Sequence, residues 1–133
     1  MNSTPRIILC VDDDPDDRDM VCYTIGEIDP SIEVKHAEDG HEALEYLNKA
    51  KTGQRLPCLV ILDINMPKMD GKQTLAEIKK DNELKKLPVV IFSTSSNPLD
   101  KIYCERYGVE MVTKPFNMSG IKKEIGKLLS YCD

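Results

Sequence analysis

The chain has 133 residues, a net charge of −5 and 41% hydrophobic residues. That length fits one domain, 1–133, around a single core, and the acidic balance argues against nucleic acid, where affinity rests on clustered Lys and Arg. No signal-peptide pattern and no apolar stretch of spanning length occurs, so the expectation is a cytoplasmic protein with no membrane partner.

Short apolar runs alternate with longer segments of helical period, the pattern of βαβ units. The first strand is expected over about 6–11, ending in Asp12-Asp13-Asp14. Pro15 fits the first position of a helix capped by Asp14, with acids in its first turn and Val21, Ile25 and Ile28 on one face. A second strand over 32–37 and a helix over about 40–50, with Ala43, Leu44 and Leu47 inward, come next. The third strand, 58–62, is uninterrupted and apolar, as a strand buried on both faces should be, and it stops at Asp63. Leu75 and Ile78 mark a third helix beyond the loop Met66-Pro67-Lys68-Met69-Asp70-Gly71.

Pro88 introduces the fourth strand, which ends at Ser93-Thr94-Ser95. The helix over 99–107 has the weakest periodicity and stops at a C-cap glycine, Gly108. Met111-Val112-Thr113 forms the fifth strand before Lys114-Pro115. Ile121, Ile125, Leu128 and Leu129 give the last helix an apolar face. Five β/α units in sequence make an α/β fold with right-handed crossovers.

The five cysteines (Cys10, Cys22, Cys58, Cys104 and Cys132) are odd in number and include no CxxC pair, which speaks against a zinc or redox motif. Cys10 and Cys58 read as small buried hydrophobes in a reducing compartment. His36 and His41 have no second ligand type nearby at metal spacing and read as ordinary residues.

In an open parallel sheet, residues just past the strands' carboxyl ends share one crevice, and ligands bind there. Here that edge receives Asp12, Asp13, Asp63, Ser93 and Lys114. Carboxylates are the hard oxygen donors that magnesium prefers, with Asp13 and Asp63 binding directly and Asp12 through a water. An ionised aspartate is also a competent phosphoryl acceptor, Lys114 offers a cation for a phosphoryl oxygen, and Ser93 offers a hydroxyl donor. Taken singly, the acid run reads as a helix cap, Ser93 as a turn hydroxyl and Lys114 as a surface charge. Four such features at four strand ends favour a built site.

Four blocks carry a resemblance: Ile8-Leu9-Cys10-Val11-Asp12-Asp13-Asp14-Pro15, Leu62-Asp63-Ile64-Asn65-Met66-Pro67-Lys68-Met69-Asp70-Gly71, Ser93-Thr94, and Lys114-Pro115-Phe116. In this order and spacing the chain resembles a two-component response-regulator receiver domain along essentially its whole length. It is similar to the chemotaxis receiver in standing alone, with no output domain. The resemblance implies a flavodoxin-like (βα)5 fold with a doubly wound sheet of order 2-1-3-4-5. It makes Asp63 the phosphoacceptor for a sensor histidine kinase or histidine phosphotransfer protein. Asp12 and Asp13 would be the acidic pair on Mg2+, joined by Asp63 and the Asn65 backbone carbonyl, with Ser93 the switch hydroxyl and Lys114 the pocket lysine. It also implies a cis peptide at Lys114-Pro115 and an output face over about 99–129 that binds a partner protein, returns phosphoryl groups to a relay protein or forms a homodimer. The segment 49–57 and Ser95-Ser96-Asn97-Pro98 resemble the small receivers serving phytochrome-type kinases.

One position departs from that pattern. Receivers commonly carry Tyr or Phe three residues before the lysine, where this chain has Met111, read here as a core-edge methionine. Tyr103 and Tyr107 are the aromatic groups left to substitute. An FMN binder would need a Ser/Thr/Gly phosphate loop after the first strand, where six acids stand instead. Neither GxxxxGK nor GxGxxG occurs, and Asn65 replaces the second aspartate of an aspartate-nucleophile phosphatase. The alternative is a degenerate receiver acting only as an interaction module.

Overall fold

The apolar runs form the strands of one parallel sheet: β1 (Ile7–Val11), β2 (Glu33–Ala37), β3 (Leu59–Leu62), β4 (Val89–Ser93) and β5 (Glu110–Thr113), in the order β2-β1-β3-β4-β5. The structure is a computed structural model that describes residues 6–53 and 55–133. Every residue of β1, β3 and β4 is buried, whereas the edge strands β2 and β5 are half open. The central strands are buried because helices cover both faces, which explains their unbroken apolar sequence.

Side chains alternate across the sheet. Leu9 and Val11 of β1, with Val60 and Leu62 of β3, face one core. It is filled by Ala43 and Leu47 of α2 (Gly40–Gly53), Leu75 and Ile78 of α3 (Gly71–Lys80) and Cys104 of α4 (Pro98–Arg106). Ile8, Cys10, Leu59 and Ile61 face the other, against Val21 and Ile25 of α1 (Pro15–Ile28) and Ile121, Ile125 and Leu128 of α5 (Met118–Leu128). The expected apolar faces are thus the ones buried, except that Ile28, last in α1, is 36% exposed. α2 runs three residues past the expected Ala50, to Gly53.

Capping sets the helix ends near the sheet's carboxyl edge. The Asp14 carboxylate accepts from the Asp16 N–H, with Pro15 at the first helical position. Asp70 and Gln73 form a reciprocal capping box on α3. Gly108, at φ +67°, ends α4 in a Schellman turn: its N–H donates to the Glu105 carbonyl and the Val109 N–H to Cys104.

Two expectations are corrected. No cis peptide occurs among the described residues, so Lys114-Pro115 is trans, and the Lys114 N–H continues the β4–β5 ladder to the Ser93 carbonyl at 3.0 Å. Cys58 is not a free buried thiol, because it forms a disulfide with Cys132, 74 residues away, their Cα atoms 5.1 Å apart. The reason is topological: β3 begins beside the last 3-10 turn, Leu129–Cys132, and one-dimensional spacing does not reveal that meeting. Cys10, Cys22 and Cys104 are free.

Candidate functional site

The sheet ladder itself delivers the acids. Val11 pairs with Leu62 at the end of β1 and β3. The next backbone bonds run from the Asp63 N–H to the Val11 carbonyl at 2.9 Å and from the Asp12 N–H to the Ala37 carbonyl at 3.1 Å. Asp12 and Asp63 are therefore held at the sheet edge by the hydrogen bonding that makes the sheet. Both are buried, while Asp13 faces solvent.

One carboxylate oxygen from each of Asp12, Asp13 and Asp63 lies within 4.8 Å of the others. Three hard oxygen donors at this spacing, one open to solvent, fit a divalent cation that keeps part of its water shell. Asp14 is outside this trio and caps α1, as its position before Pro15 implies. The Asp12 carboxylate also accepts from the Asp14 N–H at 3.0 Å, and the Arg18 guanidinium donates to the Asp12 carbonyl at 2.7 Å. These bonds fix the turn between β1 and α1.

Lys114 crosses from β5 to the same point. Its Nζ donates to Asp12 Oδ2 at 2.7 Å and to Asp17 Oδ2 at 2.8 Å, and stands 3.8 Å from Asp63 Oδ2. Burial alone would lower its pKa, but the bonds to Asp12 and Asp17 and the nearby Asp63 charge outweigh that and hold it above the ordinary lysine value. Lys114 therefore stays charged. The Asp63 pKa is raised as well, which for a carboxyl disfavours the charged form: burial raises it, the Asp12 charge adds to the rise, and Lys114, Ser93 and the Ile64 N–H oppose it without cancelling it. That N–H donates to Asp63 Oδ1 at 2.8 Å, which orients the carboxyl group.

Ser93 is fully buried at the end of β4, and its Oγ accepts from the Ser95 N–H at 3.2 Å. Asn65 is exposed two residues beyond Asp63. Gly71 supports this loop at close range, since a Cβ there would meet the Asp63 carbonyl oxygen at 2.1 Å. Its own N–H donates to the Ile64 carbonyl at 2.9 Å. Lys68, at φ 65°, takes the left-handed turn between them.

Two features had no clear signal in the sequence. Asp17 reads as one more acid complementing the α1 dipole, yet it contacts Lys114 across the pocket rim. Asp100 is a buried carboxylate on α4 that pairs with Lys72 of α3 and accepts from the Ser95 hydroxyl. Burial would raise its pKa, but those bonds bring it below the ordinary value. Tyr103 also engages α3, its hydroxyl donating to the Lys72 carbonyl at 2.7 Å, and it packs on Tyr107 at 5.1 Å. Met111 is half-buried against the core and lines a groove of about 350 Å³ between β5 and the start of α4. Leu99 and Ile102 of α4, the helix with the weakest periodicity, point to solvent.

Comparison with known proteins agrees with this geometry. The response regulator receiver domain family matches residues 8–126. Response regulator Rcp1 of Synechocystis is 32% identical over 133 residues, covering 98% of this chain and 90% of its own. The solved structure of the phosphorylated cyanobacterial phytochrome response regulator RcpA superposes with a TM-score of 0.87 at 32% identity, covering 96% of this chain and 94% of that one. The Mn2+-bound form of Rcp1 superposes at 0.84, again with 32% identity and the same coverage. On its sheet order, its acidic trio and these matches, the chain belongs to the response-regulator receiver family.

Proposed function

We propose that residues 1–133 act as one receiver domain, phosphorylated on Asp63 by a sensor histidine kinase or a histidine phosphotransfer protein. The observation that carries this reading is the meeting of Asp12, Asp13 and Asp63 within 4.8 Å, with the Lys114 ammonium 3.8 Å from Asp63. A carboxylate oxygen of Asp63 attacks the phosphorus of a phosphohistidine. The P–N bond breaks, its electron pair leaves with the imidazole, and an acyl phosphate forms. Such transfer depends chiefly on positioning and charge neutralisation, so the chain receives a group and assists its own reaction without turning over a separate substrate.

The metal of this reading is Mg2+, held by Asp12, Asp13, Asp63 and the Asn65 backbone carbonyl. Bound there, it would neutralise phosphoryl oxygens and align them for in-line transfer. Lys114 supplies a second cation, and its raised pKa keeps it charged across neutral pH. Ser93 supplies a hydroxyl from the end of β4 to a phosphoryl oxygen. Phosphorylation adds roughly −1.5 to −2 charges at pH 7 beside the β4–α4 connection. The readout in this proposal is the α4–β5–α5 face, residues 99–129, where Leu99 and Ile102 are 66% and 51% exposed. That face would take a downstream protein or a second copy of the chain.

Incubation with magnesium and acetyl phosphate, followed by intact mass, tests the reading. One phosphoryl group should be added to wild type, lost in hydroxylamine and absent from Asp63→Asn. Unchanged wild-type mass, under conditions that label another receiver, would return the chain to the interaction-module alternative. Sedimentation of phosphorylated wild type beside Asp63→Asn then reads whether the 99–129 face pairs two copies.

A further inference from the structure

Lys114 has a partner that phosphoryl transfer does not require. Its ammonium makes two short bonds, to Asp12 at 2.7 Å and Asp17 at 2.8 Å, and both lie on the β1–α1 side of the pocket. Asp63, at 3.8 Å, is beyond hydrogen-bonding range. An ammonium has three donor hydrogens, so two are committed away from the phosphoacceptor. The two carboxylates differ in their other duties. Asp12 belongs to the trio that can hold a cation, whereas Asp17, in the first turn of α1, lies outside it. The ion pair is also sheltered, with the Lys114 side chain 9% and the Asp17 side chain 29% exposed, so solvent screens it less than a surface pair.

We infer that Asp17 is a positioning residue: it holds the Lys114 ammonium on the α1 side of the pocket and so sets how readily that ammonium passes to an anionic oxygen built on Asp63. The inference rests on the reading of Asp63 as phosphoacceptor with Lys114 as its cation. Removing the Asp17 charge acts in two ways of the same sign. It frees a donor hydrogen of Lys114, and it removes one negative charge that repels an incoming anion. The two are separable, because Asp16 carries the same charge on the same helical turn, is exposed, and makes no bond to Lys114. Asp16→Asn therefore reports the general charge effect, and Asp17→Asn reports that effect plus the lost pairing.

The probe is beryllium trifluoride anion, a tetrahedral mimic of a phosphoryl group that binds a carboxylate oxygen without chemical turnover. Its affinity is measured by calorimetry at saturating magnesium for wild type, Asp17→Asn, Asp17→Glu, Asp16→Asn and Asp63→Asn. Asp17→Asn should bind roughly fivefold more tightly than wild type, the scale of one lost ion pair at the upper end for partly exposed pairs. Asp16→Asn should stay within about twofold of wild type, on the same scale for an unpaired surface charge. Asp17→Glu, which keeps the charge and can reach Lys114, should restore wild-type affinity. Affinity in Asp17→Asn no tighter than in Asp16→Asn overturns the inference while leaving the phosphoacceptor reading in place. Wild type that binds no better than Asp63→Asn overturns both.

Discussion

The two ends of the sheet solve opposite problems. At the amino edge, Arg6 donates to the Cys132 carbonyl at 3.2 Å, to Asp29 at 2.5 Å and to Ser31 at 2.8 Å, and the Cys58–Cys132 disulfide closes the same corner. Asp29 sits there below the ordinary carboxylate pKa, through the Ser31 bonds first and the Arg6 contact after them. At the carboxyl edge, Asp63 is buried with its pKa raised, and three carboxylates crowd one point with a single lysine among them. Charges at one end are matched and cross-linked. At the other, three carboxylates share one lysine, an arrangement that a bound divalent cation would relieve.

Breaking the amino-edge clamp should give the largest stability change. Cys58→Ser or reduction opens a link closing 74 residues, worth about 4 kcal/mol in the chain-entropy description. Thermal melts with and without reductant should show a lower Tm, while acetyl phosphate labelling of the remaining folded protein stays unchanged. A matched loss of labelling would mean that the two ends are not independent.

Magnesium should act on the carboxyl edge alone. At a hundredfold excess over its dissociation constant, a ligand of the native state adds about 2.7 kcal/mol. Tm should rise accordingly in wild type, with little response in Asp13→Ala. An equal rise in that variant would place the metal elsewhere. Gly71→Ala comes next, because its Cβ would press on the Asp63 carbonyl and force the loop to shift, costing about 1–3 kcal/mol. Urea unfolding should show the loss, and labelling should slow because Asp63 is displaced.

The smallest effect concerns pH without metal. Asp63 has a folded pKa above its ordinary value, so its ionised form weakens the native state at neutral pH. That penalty fades as pH falls through the raised folded pKa and is gone below the unfolded value, near 3.8. Asp63→Asn should therefore be more stable than wild type at pH 7 in EDTA, and its advantage should shrink toward pH 4. An advantage that grows on acidification would contradict the crowding described here.

The same contrast explains what could be read from the residues in order. β1, β3 and β4 are legible because strands covered on both faces must be apolar throughout, so the first polar residue after each run marks the sheet edge. Asp12, Asp63 and Ser93 follow from that rule, and Lys114 follows from its place after β5. Helix α4 reads poorly because it buries a charged residue, Asp100, held by Lys72 and Ser95, and leaves Leu99 and Ile102 in solvent. The Cys58–Cys132 link and the Asp17–Lys114 pair join residues 74 and 97 positions apart, and no local pattern encodes either meeting. The expected cis peptide came from family resemblance, and the bond is trans in this structure.

Locating the phosphoryl group shows whether Asp63 is the residue that accepts it. After labelling with acetyl phosphate and magnesium, borohydride converts an aspartyl phosphate to homoserine, and peptide mass spectrometry then finds the altered residue. Conversion is expected at Asp63 alone. Conversion at Asp12, Asp13 or Asp17, or at no aspartate in labelled protein, would contradict that assignment.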